Sequence, residues 1–330
     1  MMDRRAFLLG AVAFAAPVAV EARSHTSPRR IAYLHSEISC DAPPVANVGF
    51  YAFLEGLRSL GYRERHNVAI ECRSAEGKLE RLDELAAELV QLKPAVLVAP
   101  GTPASLAAKR ATGTIPIISL YTADPVELGL VASLARPGGN VTGISALASD
   151  YVAKSLELLK DAAPRTSRVG VLGHAANPTY AIYRRELEAA AKVMGVVLDF
   201  GSVNALAELE TTLSGLRRRG ADALLVMHQP FTFVHREHIV ERVAGLRLPT
   251  MYGSREAVEA GGLMSYAVSI ADVFRRGALI VDRVLRGANP ADLPIEQPTK
   301  FELVLNLKTA KALRLAIPKS LLVRADQVIE

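Results

Sequence analysis

The chain alternates short apolar runs with segments of helical period, and this alternation restricts it to the α/β class. Amphipathic segments separate most of the runs; in residues 80–92, for example, four leucines share one helical face. Strands that alternate with helices predict doubly wound parallel sheets with helices on both faces. Eleven runs end in small or turn residues, as buried parallel strands do: Ile31–His35, Val68–Cys72, Ala95–Ala99, Ile115–Leu120, Val141–Ser145, Val169–Gly173, Val196–Phe200, Ala223–Met227, Pro249–Tyr252, Gly262–Tyr266 and Phe301–Leu305.

So many strands are too many for one sheet, so the sequence predicts two lobes. We expect lobe 1 to comprise residues 30–145 and 262–288, and lobe 2 to comprise residues 146–261 and 295–330. The chain would then pass between the lobes three times, near 145–151, near 259–262 and within 287–300. The last of these segments is stiffened by three prolines, Pro290, Pro294 and Pro298.

One local pattern recurs after the predicted strands, namely a capping residue followed by proline. It occurs as Gly101-Thr102-Pro103, Ala123-Asp124-Pro125 and Ala176-Asn177-Pro178, with His228-Gln229-Pro230 as a weaker copy. The capping side chain satisfies free helix N–H groups, and proline has no N–H to lose at the first helical position. Helix amino termini would then face the carboxyl ends of the strands, where α/β proteins bind ligands and where an anion is favoured. Ordinary capped helices would also explain each motif taken alone.

The candidate ligand contacts lie at this same edge. Aromatic residues make up 5% of the chain, and the sequence has no Trp, yet five rings fall at strand ends or in the turns that follow. They would suit a partly apolar ligand, although some would pack between helix and sheet instead. The full set of candidates is Ser36, Thr102, Tyr121, Asp124, Asn177, Tyr180, Gln229, Phe231, Tyr252, Glu256 and Tyr266.

The polar candidates suggest roles for the two ends of a ligand. Thr102 and the neighbouring N–H groups are expected to receive a carboxylate. Asp124 would accept a hydrogen bond from an amine, since it would repel an anion. Asn177 can donate or accept. The sequence therefore predicts a carboxylate-bearing ligand, with an amine as an option.

The common enzyme signatures do not occur in the sequence. It contains no Gly-x-Ser-x-Gly elbow, P-loop, Gly-x-Gly-x-x-Gly or His-Glu-x-x-His motif, and no cofactor is expected. His235, His238 and Glu241 share one face of a predicted helix and could hold a metal, which leaves a metal-assisted hydrolase as an alternative. A solvated helix face explains these three residues equally well.

Charge and cysteine content narrow the class further. The formal net charge is +5 and is spread over both halves of the chain. The cluster Arg217-Arg218-Arg219 ends an amphipathic helix, where basic residues favour the helix dipole, so no nucleic-acid partner is expected. The two cysteines, Cys40 and Cys72, could form one disulfide after export, but their spacing does not force a pair, and free thiols are the favoured expectation.

The amino terminus resembles an export signal of the twin-arginine type. Arg4 and Arg5 precede a short apolar run, and the small-residue end at Val20-Glu21-Ala22 suits cleavage after Ala22. The run is too short to span a bilayer core of about 30 Å, so stable membrane insertion is not expected. The sequence therefore predicts a signal peptide over residues 1–22 and a periplasmic protein.

Longer motifs resemble a known family. They are FLEGL (53–57), LGY (60–62), NVAIE (67–71), GTPA (101–104), ADPVELGLV (123–131), RPGGNVTG (136–143), GGLMSY (261–266) and QPTKFELVLN (297–306). Together they resemble the ABC-transporter substrate-binding proteins typified by tryptophan- and tyrosine-binding members. The resemblance implies a type I periplasmic-binding-protein fold and a small ligand between the lobes. It also implies delivery of this ligand to a membrane permease driven by a separate ATPase. We expect the protein to be a monomer.

The chain departs from the family pattern near the expected cleft. Cys72 stands where members often carry an aromatic residue, and Gly173-His174-Ala175-Ala176 replaces a more asparagine-rich turn. The loop after the first strand, residues 36–44, also differs. The ligand therefore does not follow from the named members alone. A sensor of the same fold that reports its ligand without transporting it is a further alternative.

Overall fold

The computed structural model describes residues 28–145 and 149–330 of the 330-residue chain, so the predicted signal with Arg4 and Arg5 lies outside the described residues. Among these residues, no helix is both long enough and apolar enough to cross a membrane. The strands are β1 Arg29–His35, β2 Val68–Ser74, β3 Val96–Pro100, β4 Ile117–Thr122, β5 Val141–Ser145, β6 Arg168–Gly173, β7 Val197–Ser202, β8 Ala223–Val226, β9 Thr250–Tyr252, β10 Met264–Ala267, β11 Glu302–Asn306 and β12 Gln327–Ile329.

Helices connect most of the strands. They are α1 Val48–Ser59, α2 Leu82–Gln91, α3 Thr102–Ala111, α4 Ser149–Ala162, α5 Thr179–Met194, α6 Leu209–Arg218, α7 Pro230–Val234, α8 Arg236–Leu246, α9 Arg255–Glu259, α10 Ile270–Leu285, α11 Leu307–Ala312 and α12 Lys319–Arg324. Single 3-10 turns lie at Leu79–Arg81, Leu206–Glu208 and Pro290–Asp292.

The strands form two separate sheets, and this confirms the predicted class of two α/β lobes. The first sheet has five strands in the order β2-β1-β3-β4-β5, all parallel. The second has seven strands in the order β12-β11-β10-β9-β8-β6-β7. Its only antiparallel pair among the described strands is β10 with β11. The strand order reverses between β1 and β3 in the first sheet and between β6 and β8 in the second. Such a switch point opens a crevice at the carboxyl ends of the strands.

The position of β10 moves one of the expected lobe boundaries. This strand, Met264–Ala267, pairs with β9 and β11 in the second sheet, whereas we had expected residues 262–288 to belong to lobe 1. Helix α10 then packs on α1 and on the first sheet. The second passage between the lobes therefore lies between Ala267 and Ile270, not near residues 259–262.

Each sheet is buried between two layers of helices. In lobe 1, α1 and α10 cover one face of the sheet, and α2 and α3 cover the other. In lobe 2, α4 and α5 cover one face, and α6, α8 and α9 cover the other. The central strands are buried throughout, as parallel strands covered on both faces must be. These layers fix the strand ends that face the space between the lobes.

Candidate functional site

A cavity lies between the two lobes at the carboxyl ends of their strands. Its total empty volume is about 770 Å³, including the part that opens to solvent. Lobe 1 and helix α10 contribute His35, Ser36, Ile38, Asn47, Gly49, Pro100, Gly101, Thr102, Tyr121, Ala123, Ile270 and Phe274. Lobe 2 contributes Asn177, Thr179, Tyr183, His228, Pro230, Phe233 and Val234.

The end of β1 brings two polar side chains to this cavity. His35 is the last residue of the strand, and its Nδ1 accepts hydrogen bonds from the backbone N–H groups of Glu37 (3.3 Å) and Ile38 (3.1 Å). Burial lowers the pKa of His35 to about 4, so the ring is neutral at pH 7. The hydroxyl of Ser36 is buried and has no hydrogen-bond partner in the described part of the chain.

A disulfide holds the loop that follows. Cys40, in the β1–α1 loop (residues 36–47), is bonded to Cys72 on β2. The expectation of two free thiols is therefore wrong. The fold places the loop directly over the neighbouring strand β2, and this proximity cannot be read from a sequence separation of 32. The bond restrains the same loop that carries Ser36 and Ile38 to the cavity.

The ends of β3 and β4 form the rest of the lobe 1 wall. Thr102 is the first residue of α3, but it does not cap its own helix as expected; its Oγ1 accepts a hydrogen bond from Ala123 N–H at 3.2 Å. Tyr121 has a φ of 56°, where a side chain is strained, and the β4–β5 register shifts at this point. Its ring lies 4.6 Å, between centroids, from the ring of His228 in lobe 2. Burial raises the pKa of Tyr121 well above its usual range, so its phenol stays protonated.

Gln229 organises the lobe 2 wall. Its Oε1 accepts from His174 N–H at 2.6 Å, and its Nε2 donates to the His174 carbonyl (3.2 Å) and to Thr179 Oγ1 (3.1 Å). Its backbone N–H donates to Thr232 Oγ1, which completes a capping box at the start of α7. Asn177 Oδ1 accepts from Thr179 N–H at 3.0 Å. We call this set of bonds the Gln229 network.

Two polar contacts join the lobes outside the cavity lining. Arg185 on α5 makes a bidentate ion pair with Glu127 of lobe 1, at 2.6 and 2.8 Å. The hydrogen bond with Arg185 lowers the pKa of Glu127. On α8, Arg236 is buried and donates from Nη2 to the Val45 carbonyl of the β1–α1 loop at 3.0 Å. These contacts bridge the cleft, so the lobes are closed on each other in this structure.

Four of the residues singled out from sequence line the cavity. They are Ser36, Thr102, Tyr121 and Asn177. Each follows or ends a strand, as the edge argument requires. The structure thus brings them together, and their contact with a ligand stays a prediction.

Three other candidates lie at the right edge but have different partners. The carboxylate of Asp124 caps a turn, not a helix, because its Oδ1 accepts from Val126 N–H (2.9 Å) and Glu127 N–H (3.0 Å). Tyr180 packs edge-on against Phe200 in lobe 2. Tyr266 stacks with Tyr151 and Phe301. None of the three is among the described side chains that line the cavity.

The remaining four candidates lie outside the cavity lining in lobe 2, three of them buried and Glu256 half-buried. Gln229 supports the lobe 2 wall from beneath through its network. Phe231 and Tyr252 pack in the core between the sheet and helices α6, α8 and α9. Burial raises the pKa of Glu256, and its Oε2 is buried with no partner in the part of the chain that the structure describes, but it too lies outside the cavity lining. Of the four, only Tyr252 lies at a strand end, and its side chain points into the helix layer and not into the cleft.

Several lining residues were not among the candidates. His35 ends the predicted strand Ile31–His35, so the edge argument could have included it. His228, whose pKa burial lowers to about 4, precedes Gln229 in the weaker motif copy and had the same signal. Phe274 enters the cavity from the middle of α10, and no strand-end pattern marks it.

The proposed metal trio does not assemble. Within residues 28–145 and 149–330, no group of three or more His, Cys, Asp or Glu side chains is placed to hold a metal ion. The ring of His235 packs on Phe231 instead, with 4.6 Å between centroids. His238 and Glu241 are exposed on α8.

Comparison with known proteins agrees with this geometry. Residues 43–329 match the family described as ABC transporter substrate binding protein. The chain is similar to the tyrosine-binding protein of Clostridioides difficile (strain R20291), with 29% identity over 271 residues that cover 79% of this chain and 75% of that protein.

Two solved structures resemble it over nearly their full length. The ABC domain from Streptococcus pneumonia in complex with L-Trp has 27% identity and a TM-score of 0.84, and the match covers 92% of this chain and 100% of that one. A ligand-free, open substrate binding protein with adhesive properties from Clostridium difficile has 23% identity and a TM-score of 0.65, covering 91% and 99%. The family match spans most of the sequence, and the chain therefore belongs to the ABC transporter substrate-binding proteins, a family of binding proteins and not of enzymes.

Proposed function

We propose that the protein is the exported receptor of an ABC importer and that it encloses a small, carboxylate-bearing and partly apolar ligand, an amino acid or an aromatic acid. The cavity between the lobes carries this proposal. Its walls are mostly apolar and aromatic, with a few convergent polar side chains, which is the usual composition of a small-molecule site. The similarity to a tyrosine-binding protein and to an L-Trp complex supports the same ligand class.

Ser36, Thr102, Tyr121 and Asn177 are the proposed ligand contacts among the residues chosen from sequence. They sit on both walls, so a ligand that touches all four would hold the lobes together. Helix α3 begins at Thr102 and directs its amino terminus to the cavity, which favours the carboxylate end. Tyr121 and Phe233 would flank the apolar end.

Titration calorimetry with L-tyrosine, L-tryptophan and 3-(4-hydroxyphenyl)propanoate tests the ligand class. A compound that binds only the folded protein should also raise the free energy of unfolding by about 2.7 kcal/mol at a hundredfold excess over its dissociation constant. The variant Val234→Trp fills the cavity and should abolish binding. Val193→Trp is the matched control, because Val193 is 87% exposed on α5. Failure of the wild type to bind any of the three, or full binding by Val234→Trp, contradicts the proposal.

Export and delivery form the second half of the proposal. Residues 1–22 would direct the chain to the periplasm, where a monomer would pass its ligand to a permease and its ATPase. Changing Arg4 and Arg5 to lysine should leave the precursor in the cytoplasm if the twin-arginine route is used. Cell fractionation measures this, and normal export of the variant would rule out that route.

A further inference from the structure

The hydrogen bonds of His35 determine which of its nitrogens carries the proton. Two backbone N–H groups, of Glu37 and Ile38, point at Nδ1. A backbone N–H can only donate, so Nδ1 must be the unprotonated acceptor. The pKa of about 4 leaves the ring neutral at pH 7, with its single proton on Nε2. His35 therefore presents a hydrogen-bond donor, and no acceptor, to the cavity that it lines.

Ser36 places a second polar group beside it. The residue is 1% exposed, and its Oγ has no hydrogen-bond partner in residues 28–145 and 149–330. A buried polar atom without a partner has lost its hydrogen bonds to water and gained none in return, so such atoms are rare unless a ligand or water completes them. Both residues line the same cavity wall, and the Cys40–Cys72 disulfide restrains the loop that Ser36 begins.

We propose that the Nε2–H of His35 and the hydroxyl of Ser36 together bind the carboxylate of the ligand, and that His35 selects for this anionic end. The inference rests on the proposed function and names its specificity-determining residue. A carboxylate oxygen accepts several hydrogen bonds, and bonds to an ionised acceptor are the stronger ones. An ammonium group needs acceptors, and His35 offers none. An amine in place of the carboxylate would leave the imidazole N–H unpaired.

A pair of substitutions separates the donor from the support of the loop. In His35→Asn the amide oxygen can replace Nδ1 as the acceptor for the loop N–H groups, but the donor at Nε2 is lost. In His35→Gln the longer amide can place an N–H near the position of Nε2, while the acceptor at Nδ1 is lost. The two variants thus remove opposite halves of the imidazole function.

Calorimetry with L-tyrosine, 3-(4-hydroxyphenyl)propanoate and tyramine reads out the difference. His35→Asn should weaken binding of the two carboxylates by roughly ten- to a hundredfold, because it loses a hydrogen bond to a charged group. The affinity of tyramine, which has no carboxylate, should not change. His35→Gln should keep carboxylate binding within severalfold of wild type and lose thermal stability instead.

The outcomes are distinguishable. Wild-type affinity of His35→Asn for both carboxylates would overturn the role of His35 and leave the proposed function standing. Equal losses in both variants for all three compounds would show a structural role and also overturn it. No binding of either carboxylate to the wild type would overturn the proposed ligand class together with this inference. If His35→Asn does not fold, Ser36→Ala must show the same split between carboxylates and tyramine, and an unchanged profile would reject the pair.

Discussion

The two walls of the cleft differ in how far their polar side chains are hydrogen-bonded within the protein. On lobe 2, the side-chain amide of Gln229 is hydrogen-bonded to the His174 backbone and to Thr179 Oγ1, and the surface that remains for a ligand is largely apolar. On lobe 1, the Oγ of Ser36 has no hydrogen-bond partner among the described residues, and His35, whose Nδ1 already accepts from two backbone N–H groups, lines the cavity beside it. The difference indicates that lobe 1 carries polar recognition, whereas lobe 2 supplies a rigid cover.

The two walls also differ in the bonds that hold them in place. The lobe 2 wall stands on side-chain hydrogen bonds within the fold, beginning at the capping box of α7. The lobe 1 wall includes a loop of twelve residues, 36–47, that has no strand or helix of its own and is tied to β2 by a disulfide. A covalent tie allows polar groups to stay unpaired and in place before a ligand arrives. The predictions below test this contrast between the walls.

The largest expected effect is on the disulfide. The double variant Cys40→Ser/Cys72→Ser should lower the free energy of unfolding by about 3–4 kcal/mol, since the bond closes a loop with a sequence separation of 32. Guanidinium denaturation of the oxidised wild type and the variant measures the loss. Carboxylate affinity should fall as well, because Ser36 and Ile38 lose their restraint. A reductant should lower the stability of the wild type toward that of the variant and leave the variant unchanged. Unaltered stability of both proteins would contradict a stabilising role of the disulfide.

A pH effect of similar size is expected at Glu37 in the same loop. Burial raises the pKa of this carboxyl from 4.5 to about 7. The folded state therefore binds the proton more tightly than the unfolded state, so stability is full below pH 4.5 and falls as pH rises through about 7. Glu37→Gln cannot ionise and so avoids this loss. Its free energy of unfolding should exceed that of the wild type by on the order of 3 kcal/mol at pH 8 and by little at pH 4.

Urea denaturation at pH 4, 6 and 8 follows this difference. Glu76→Gln is the control, because Glu76 lies exposed in the neighbouring segment after β2. A gain for Glu37→Gln that does not depend on pH would show that ionisation of Glu37 is not the cause.

The direct comparison of the walls is between Gln229→Leu and Ser36→Ala. Gln229 is 1% exposed, and its loss leaves His174 N–H and Thr179 Oγ1 buried without their partner, which should cost about 2–3 kcal/mol. Ser36→Ala removes a hydroxyl that has no partner within residues 28–145 and 149–330, so stability should be unchanged or slightly higher. Ser36→Ala should instead lower the affinity for carboxylates, because the proposed contact between the Ser36 hydroxyl and the ligand is lost. Equal destabilisation by the two variants would contradict the proposed difference between the lobe 1 and lobe 2 walls.

Most of the fold could be predicted from the sequence because the signal is long and periodic. The eleven apolar runs all became strands, and the gaps between them became helices or turns. The twelfth strand, Gln327–Ile329, has three residues and no apolar run to mark it. The assignment of β10 to lobe 2 depends on pairing with β9 and β11, and local periodicity does not specify which strands pair.

The site was predicted less completely because a strand end does not say where its side chain points. Tyr121 and Tyr252 both lie at the end of a strand, yet Tyr121 faces the cleft and Tyr252 packs in the core. Tyr121 has a positive φ at the point where the β4–β5 register shifts, and this pairing between strands cannot be read from the local sequence. The pairing of Cys40 with Cys72 likewise depends on strands that meet only in the folded chain.

The smallest expected effect concerns the contact between the walls. Arg185 and Glu127 join the lobes outside the cavity lining, but both side chains are largely exposed, and exposed pairs contribute little. Glu127→Gln should therefore weaken ligand affinity by only about two- to fivefold in low salt, by making the closed arrangement less favourable. Because ions screen exposed charges, the difference should vanish at about 0.5 M salt. Glu188→Gln is the matched control, since Glu188 pairs with Arg184 within α5 and does not bridge the lobes. Calorimetry with 3-(4-hydroxyphenyl)propanoate at both salt concentrations measures the effect. An equal loss of affinity in the Glu188 control would assign the effect to α5 and not to closure of the lobes. A loss that persists in high salt would mean that Glu127 acts on the ligand site itself. That result would contradict the division between a lobe 1 wall that recognises the ligand and a lobe 2 wall that covers it.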